Sequence, residues 1–275
     1  MAAAALAAGP AAGAPDTAAA AERGHIVLAS TTSTENSGLL AAILPRFERR
    51  TGIAVRVVAV GTGQAIRLAE RGDADVLLVH HRPSEDDFVA RGYGLERREV
   101  MHNDFVVVGP RSDPAGVAGM DDVARALARV AARRAIFVSR GDDSGTHKRE
   151  MALWRAAKVD PRGASGRWYR ETGSGMGATL NIAATLDAYA LSDRATWLRF
   201  ANKQALAVLV AGDRRLFNPY GAVVVDPARH PHVRGRLANR FVDWLTSSEG
   251  QAAIAAFRID GRQAFFPTAR RDDRD

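Results

Sequence analysis

Three turns in the sequence combine glycine with serine or threonine hydroxyls, and each is predicted to join a strand to a helix. They occupy residues 30–33, 62–63 and 139–146. The first turn of a helix exposes unpaired backbone N–H groups, and the helix dipole favours negative charge there. Hydroxyls add neutral donors, while glycine allows close approach to the backbone. Because the carboxyl ends of parallel strands meet at one edge of a sheet, the three turns predict a binding site for an oxyanion.

The candidate donors come from these turns and from a glycine-rich segment at residues 173–177. Each turn taken alone fits an ordinary helix N-cap, which uses the same residue types. Five successive hydroxyl residues from position 30 exceed what capping needs, and Arg140 adds a permanent positive charge suited to oxyanions. The glycine-rich segment fits either a flexible turn or a further backbone donor. The predicted ligand-binding residues are Ser30, Thr31, Thr32, Ser33, Thr62, Ser139, Arg140, Ser144, Gly145, Thr146 and Gly177.

The ionisable residues beside these turns are expected to play supporting roles. Carboxylates repel a dianion, so Asp142 and Asp143 are expected to cap the helix that follows and to point away. The alternatives are a pair with Arg140 or, in a phosphate site, acceptance of the proton of the ligand. His147 is expected to pack near the helix start, the alternatives being a base or a ligand. His80 and its neighbour His81 face opposite sides of a strand, so they do not predict a chelate.

Catalysis is not predicted from the residue types present. The 275-residue chain contains no cysteine, which excludes disulfides, thiolate nucleophiles and thiolate metal sites. It contains neither a G-x-S-x-G nucleophile motif nor a Walker phosphate-binding motif. No cofactor and no metal cation are predicted. The net charge of +7 favours anionic ligands, but the arginines are scattered without aromatic interleaving, so nucleic acid is not a predicted partner.

The first 23 residues consist largely of alanine, glycine and proline and end in a stretch of small residues. They resemble the end of a secretory signal peptide, except that no basic residue lies between Met1 and the alanines. A flexible Ala/Pro leader is the alternative. The remaining sequence has no apolar run of about 20 residues that would span a membrane. We therefore expect an exported protein whose fold begins after residue 23.

The body of the sequence alternates strands with helices, which predicts an α/β fold with parallel sheets. Pro/Gly-marked segments near residues 109–116 and 217–221 are candidate crossings between two lobes. Residues 24–106 with 220–275 would form lobe I, and residues 107–219 would form lobe II, with a hinged ligand cleft between them. The predicted strands are 25–29, 53–60, 75–79, 103–108, 135–139, 188–191, 206–210 and 222–225. The predicted helices include 121–133, 176–186, 233–245 and 248–257, with others beginning near residues 39, 63, 146 and 193.

Several segments together carry a resemblance to a known family. They read STTSTENSG at 30–38, VGTG at 60–63, GDADVLLVH at 72–80, MHNDFV at 101–106, SRGDDSGTHK at 139–148, GMGATLN at 175–181 and LFNPYG at 216–221. From Ile26 to Pro267 the sequence resembles the periplasmic tungstate-binding proteins of ABC importers, the Tup type, within the type II periplasmic-binding-protein superfamily. The family signature Thr-Thr-Thr-Ser appears here as Ser30-Thr31-Thr32-Ser33, in which serine keeps the hydroxyl.

The resemblance implies a substrate-binding protein that captures tungstate, or molybdate, and passes it to the membrane permease of an ABC importer in the periplasm. It also implies that the first-turn hydroxyls, Thr62 and Arg140 with the following loop are the oxyanion donors, and that the protein is a monomer without enzymatic activity. A phosphate or sulfate receptor of the same fold is the alternative. A deaminase of the porphobilinogen type shares the fold but needs a cofactor-bearing cysteine, and no DNA-binding segment supports a regulatory ligand sensor.

Overall fold

The computed structural model describes residues 24–269, which fold into two α/β lobes connected by strands that run through both. The predicted leader, residues 1–23, lies outside the described residues. The strands are β1 Gly24–Thr31, β2 Ile53–Val60, β3 Val76–Val79, β4 Gly94–Pro110, β5 Phe137–Ser139, β6 Tyr169–Glu171, β7 Ala190–Asp193, β8 Leu206–Val210, β9 Phe217–Val225, β10 Arg258–Ile259, β11 Arg262–Gln263 and β12 Phe266–Pro267. The helices are α1 Thr32–Asn36, α2 Leu39–Thr51, α3 Thr62–Glu70, α4 Arg82–Ala90, α5 Val123–Ala132, α6 Gly145–Ala156, α7 Met176–Thr185, α8 Arg194–Arg199, α9 Gly235–Thr246 and α10 Ser248–Ala256. Among these residues, no helix combines the length and apolarity needed to cross a membrane.

Lobe I is built on a mixed sheet in the order β12-β4-β9-β3-β1-β2. Strand β1 pairs in parallel with both β2 and β3, whereas β9 runs antiparallel to β3 and β4. The β-branched and leucine residues of the central strands are buried on both faces because helices cover them. On one face Phe47 of α2 packs against Phe241 and Trp244 of α9 with ring centroids 5.1 and 5.5 Å apart. The parallel pairing brings the carboxyl ends of β1 and β3 to the same edge.

Lobe II has its own core, formed around α5, α6 and the parallel pair β5 and β6. The rings of Phe137 and Trp154 meet edge to face at 5.1 Å, and Tyr169 stacks on Phe137 at 6.1 Å. These side chains are fully buried, so strand β5 and helix α6 hold a fixed relation to one another. The segment between β5 and α6 contains the third predicted anion-binding turn, which therefore rests on a rigid base.

Strand β4 passes through both lobes. Its first part, up to Asp104, pairs with β9, and from Phe105 to Pro110 it pairs with β7 and β8. The predicted strand at 103–108 covered only the second half of this element, and α4 and β6 had not been predicted. The predicted parallel pairing is found for β1 with β2 and β3 and for β5 with β6, whereas β9 and β7 pair antiparallel with β4. The predicted lobe boundary at residue 106 falls inside β4.

Candidate oxyanion site between the lobes

The first turn connects the end of β1 to the short helix α1 and forms a chain of buried hydroxyls. Thr31 caps α1 by accepting the backbone N–H of Thr34, and its Oγ1 lies 2.7 Å from Thr34 Oγ1 and 3.1 Å from Ser33 Oγ. Ser30 instead donates its hydroxyl to the carbonyl of Leu78 at 2.8 Å, which ties β1 to β3. The turn thus holds several hydroxyls in one place, although Ser30 already has a backbone partner.

Thr34 and Thr32 complete this turn in different ways. Thr34 is fully buried beside Thr31, and it was not among the candidates although it is the fifth residue of the hydroxyl run. Thr32 is half-buried at the first position of α1. Thr32 is therefore less buried than its neighbours Thr31 and Ser33. The length of the run, noted from the sequence, would have identified Thr34.

The third turn opens α6, and its cap is Ser144, which accepts the N–H of His147. The prediction that the aspartates cap this helix is wrong. Asp142 instead accepts two hydrogen bonds from Arg140, at 3.1 and 2.5 Å, and one from the N–H of Ser144. Asp143 adopts a left-handed backbone conformation and pairs with Lys148. Arg140 is only 3% exposed, so its positive charge is buried at the turn.

His147 and Asp142 respond to this partial burial in opposite ways. Burial lowers the pKa of His147, and its Nδ1 accepts the backbone N–H of Asp143 at 3.1 Å. This matches the expectation that the histidine packs near the helix start. Burial alone would raise the pKa of Asp142, but the hydrogen bonds from Ser144 and the charge of Arg140 outweigh it and hold the pKa below its usual value. Asp142 is therefore ionised at neutral pH and serves as the partner of Arg140.

The second and third turns meet directly across the cleft. The N–H of Gly145 donates to Thr62 Oγ1 at 2.9 Å, joining the first residue of α3 in lobe I to the first residue of α6 in lobe II. A side chain at Gly145 would place its Cβ 3.0 Å from His80 Cε1, and one at Gly63 would lie 2.7 Å from Asp143 Oδ2. The two lobes are therefore closed on each other, and a larger residue at Gly145 or Gly63 would require its neighbours to shift.

The floor of the cleft is a buried polar network that was not predicted. Asn218 Oδ1 lies 3.0 Å from His80 Nδ1, and the Asn218 amide donates to Asn103 at 2.6 Å. That amide orientation places the proton of His80 on Nδ1 and leaves Nε2, 3.4 Å from Ser33 Oγ, as an acceptor. The ring of His80 stacks on Tyr220 at 4.8 Å. Burial lowers the pKa of His80 to about 4, so the histidine is neutral at pH 7.

His80 and Asn218 were not among the predicted ligand-binding residues: His80 and His81 did not predict a chelate, and Asn218 was placed at the start of a strand. The signal that would have found His80 is its position directly after β3, at the same sheet edge as the first turn. Residues 24–269 contain no group of three or more histidine or acidic side chains placed to hold a metal ion. The network therefore offers hydrogen bonds and no cation site within the described chain.

Four residues around the cleft carry buried polar atoms that have no hydrogen-bond partner among the described residues. They are Thr146 Oγ1, Asn103 Nδ2, Thr196 Oγ1 and Asp193 Oδ2. An unpaired buried polar atom costs about 1–3 kcal/mol, so such a group of them indicates a site that binds something polar. Thr146 is a predicted ligand residue, and its hydroxyl at the start of α6 is uncommitted.

Ser139 and Gly177, both predicted ligand residues, have different surroundings. The Ser139 hydroxyl donates to Glu150 Oε2 at 2.8 Å, and its oxygen accepts the N–H of Gly141. Its side chain therefore supports the third turn. Gly177 is half-buried in the first turn of α7, and a Cβ there would meet no atom within 4 Å. The glycine-rich segment adjoins the third turn because Thr172 donates its hydroxyl to the carbonyl of Arg140 at 3.3 Å.

Glu150 anchors the third turn from below. It is 2% exposed and accepts hydrogen bonds from Ser139, Tyr169 and Trp154. Burial raises its pKa to about 7, with the three hydrogen bonds opposing the shift. The folded protein thus binds this proton more tightly than the unfolded chain does, so its stabilising effect is present below about pH 4.5 and is lost as the pH rises through 7.

Glu150→Gln is expected to reduce the loss of stability between pH 5 and pH 8 by on the order of 1–3 kcal/mol, because glutamine does not ionise. Urea unfolding at the two pH values measures the change. Glu96→Gln, at an exposed carboxyl, is the matched control and should leave the pH dependence as it is. Burial also raises the pKa of Glu85 to about 7, so part of the pH dependence of the free energy of unfolding will remain in Glu150→Gln. An unchanged slope in Glu150→Gln would refute this role of the buried carboxyl.

Comparison with known proteins agrees with this architecture. Residues 12–249 match the family model of the PBP superfamily domain. The tungstate-binding protein TupA of Peptoclostridium acidaminophilum is 43% identical over 251 residues, covering 90% of this chain and 87% of that protein. The solved structure of the tungstate-binding protein TupA from Desulfovibrio alaskensis is 45% identical with a TM-score of 0.79, covering 90% of this chain and 99% of that one.

A second solved structure, the tungstate ABC transporter protein from Geobacter sulfurreducens, is 47% identical with a TM-score of 0.78. The alignment covers 85% of this chain and 98% of that one. These relatives extend through both lobes and the strands that connect them. The chain therefore belongs to the PBP superfamily and, within it, to the family of its TupA relatives.

Proposed function

We propose that this protein captures a tetrahedral oxyanion, most readily tungstate and next molybdate, and delivers it to the membrane permease of an ABC importer. The observation that carries the proposal is the structure of the third turn. Arg140 and the unpaired hydroxyl of Thr146 are buried there, and the N–H of Gly145 in the same turn bonds Thr62 of the opposite lobe. Donors from two lobes that converge in a buried site replace the hydration shell of an anion. The names of the TupA relatives supply the choice of tungstate.

The proposal extends to how the protein works as a whole. Residues 24–106 with 220–275 and residues 107–219 would form two lobes that open and close about the points where β4 and β9 pass between them. Capture would need no catalysis, no cofactor and no nucleic acid. The protein would act as a monomer in the periplasm, where it exchanges its ligand with the permease. The basic net charge would raise the local concentration of anions.

Size and protonation favour tungstate over other oxyanions. The metal–oxygen bonds of tungstate and molybdate are longer than the sulfur–oxygen bonds of sulfate, so a cavity formed by closed lobes can distinguish them. Phosphate carries a proton near neutral pH and needs an acceptor in the site. Asp142 and Asp143 are engaged with Arg140 and Lys148. The bare oxygen of Asp193 is the one observation that favours a phosphate receptor as the second candidate.

Calorimetric titration of the full chain with tungstate, molybdate, sulfate and phosphate tests the proposal. Tungstate and molybdate should bind tightly, and sulfate and phosphate should bind at least about 100-fold more weakly. Tight binding of phosphate alone would transfer the assignment to a phosphate receptor. The absence of binding by all four anions would overturn the oxyanion function.

Thr146→Val should lower tungstate affinity about five- to tenfold, because a neutral hydrogen bond contributes about 1 kcal/mol. The valine is close in shape to threonine, and the native hydroxyl has no hydrogen-bond partner within residues 24–269, so the stability of the fold should be kept. Thr185→Val is the matched control, since its hydroxyl lies on an exposed helix face and donates to Asn181. Equal tungstate affinity of the two variants would remove Thr146 from the site.

A further inference from the structure

Asp193 lies at the end of β7, where the two lobes join. It pairs with Phe105 of β4, and its Oδ1 caps α8 by accepting the N–H of Thr196 at 2.9 Å. The side chain is 1% exposed, and Oδ2 has no hydrogen-bond partner among the described residues. Oδ1 of this carboxyl therefore has a structural role as a helix cap, whereas Oδ2 is buried and has no such role.

Among the ionisable groups that the described residues place around Asp193, one cation acts on its carboxyl. The elements packed on β7 are β4, β5, α6, α7 and α8, and α7 carries no ionisable residue. On α8 and β4, Arg194 and Asp104 are bonded to each other at 2.5 and 2.6 Å. On the other elements, Arg140 follows β5, α6 carries His147, Lys148, Arg149, Glu150 and Arg155, and Tyr220 lies on β9. Of these, Arg140 is the one whose charge acts on Asp193, and the charge of Asp193 in turn raises the pKa of Tyr220 together with burial.

A dianion in the cleft would be poorly neutralised if every carboxyl were ionised. Arg140 already bonds to Asp142, whose pKa is held below its usual value, against the effect of burial, by the hydrogen bonds from Ser144 and by Arg140. One guanidinium then faces two carboxylates and two further negative charges from the ligand. Burying uncompensated charge of this kind is strongly unfavourable, and the usual resolution is that a group takes up a proton. Burial raises the pKa of Asp193, with the neighbouring hydroxyl of Thr196, the hydrogen bond from its backbone N–H and the charge of Arg140 opposing the shift.

We propose that binding of the oxyanion takes up one proton, which is held on Oδ2 of Asp193. The protonated carboxyl then donates a hydrogen bond toward the cleft instead of repelling the ligand. By taking up a proton, Asp193 adapts the site to an anion that arrives without one. This inference rests on the proposed function, since it concerns the same cleft.

The expected pH dependence follows from linkage. Between the pKa that Asp193 has in the free protein and its higher pKa in the complex, affinity should fall about tenfold per pH unit, because each binding event needs one proton. His80 is neutral in the free protein, with a pKa of about 4, and lies on the floor of the same cleft, so it could also accept the proton. Glu150, with a pKa of about 7, is a further competing acceptor, and both are tested against Asp193 by the loss of uptake in Asp193→Asn.

The experiment is calorimetric titration with sodium tungstate at pH 7, 8 and 9, in two organic buffers that differ in ionisation enthalpy. The dependence of the observed heat on the buffer gives the number of protons taken up, and we expect about one at pH 8. Asp193→Asn keeps an amide oxygen that caps α8 but cannot ionise. It should show no proton uptake, and at pH 9 it should bind tungstate about tenfold more tightly than the native protein. Glu150→Gln should still take up the proton.

Three outcomes would overturn the inference while the proposed function stands. They are tight tungstate binding without proton uptake in the native protein, uptake that persists in Asp193→Asn, and uptake that disappears in Glu150→Gln. A native protein that binds none of tungstate, molybdate, sulfate and phosphate would instead overturn the proposed function. The two failures are therefore distinguishable in the same titrations.

Discussion

Arg140→Ala is expected to lower tungstate affinity about 100-fold or more, because removing one partner of a buried charge pair costs about 2–5 kcal/mol. The guanidinium is 3% exposed and lies at the start of the third turn, beside the helix terminus that offers backbone donors. Alanine would remove the positive charge and leave Asp142, ionised, without its partner in the cleft. Both effects oppose a dianion. Calorimetric titration measures the loss.

The chain offers a matched control for this substitution. Arg162 bonds to Asp160 two residues away, as Arg140 does to Asp142, but its side chain is 69% exposed. Arg162→Ala should leave tungstate affinity unchanged, because an exposed pair of this kind contributes about 0–1 kcal/mol to stability and lies outside the cleft. Tungstate binding by Arg140→Ala at native affinity would show that the third turn does not hold the anion.

A double substitution separates the two contributions of Arg140. In Arg140→Ala with Asp142→Asn, the abandoned carboxylate is gone, so any affinity recovered relative to the single variant measures the repulsion by Asp142. Arg140→Lys keeps the charge but loses the fork of N–H groups that bonds Asp142 through Nε and Nη2. We expect its affinity to lie between the native value and that of Arg140→Ala.

Local sequence patterns predicted much of the fold because they reflect local physics. Strand β2 was predicted with its observed bounds, since a β-branched run between Gly52 and Gly61 has few other conformations open to it. Strand β8 was also predicted with its observed bounds. The first half of β4 was missed because its residues 96–99 are charged and show no apolar alternation. That half is held by antiparallel pairing to β9, which lies more than a hundred residues later.

The candidate site was also predicted only in part. The hydroxyl turns and Arg140 were identifiable because a helix start, glycine and hydroxyls are neighbours in the sequence. The floor was not, since His80 and Asn218 are 138 residues apart and meet only through the topology of the sheet. The direction of each hydroxyl also escaped prediction. Ser139 and Ser30 have the same residue type as Ser33, yet they donate to Glu150 and to the carbonyl of Leu78. The residue type shows that a hydroxyl can donate a hydrogen bond, but only the fold determines which atom accepts it.

Gly145→Val is expected to cause a second large loss of tungstate affinity, because Gly145 lies where the two lobes close on each other. A Cβ at this position would lie 3.0 Å from His80 Cε1 and 3.1 Å from Thr62 Oγ1, and valine adds two methyl groups beyond it. Overlap of this kind costs about 1–3 kcal/mol in a packed site, so tungstate affinity should fall by about 10- to 100-fold. The backbone at the start of α6 accepts any L-residue, so lobe II itself should fold.

Small-angle X-ray scattering and two further glycine variants distinguish a cleft that cannot close from a lobe that does not fold. Small-angle X-ray scattering should show that tungstate makes the native protein more compact and that Gly145→Val stays extended at saturating tungstate. Gly145→Ala should give an intermediate affinity, because its single Cβ needs a shift of only a few tenths of an ångström. Gly163→Val, at a glycine with no atom within 4 Å of an added Cβ, should behave as the native protein. If Gly145→Val bound tungstate and compacted normally, the contact between Thr62 and Gly145 would not belong to the ligand-bound state, and the anion would have to be held by an arrangement of the lobes more open than this one.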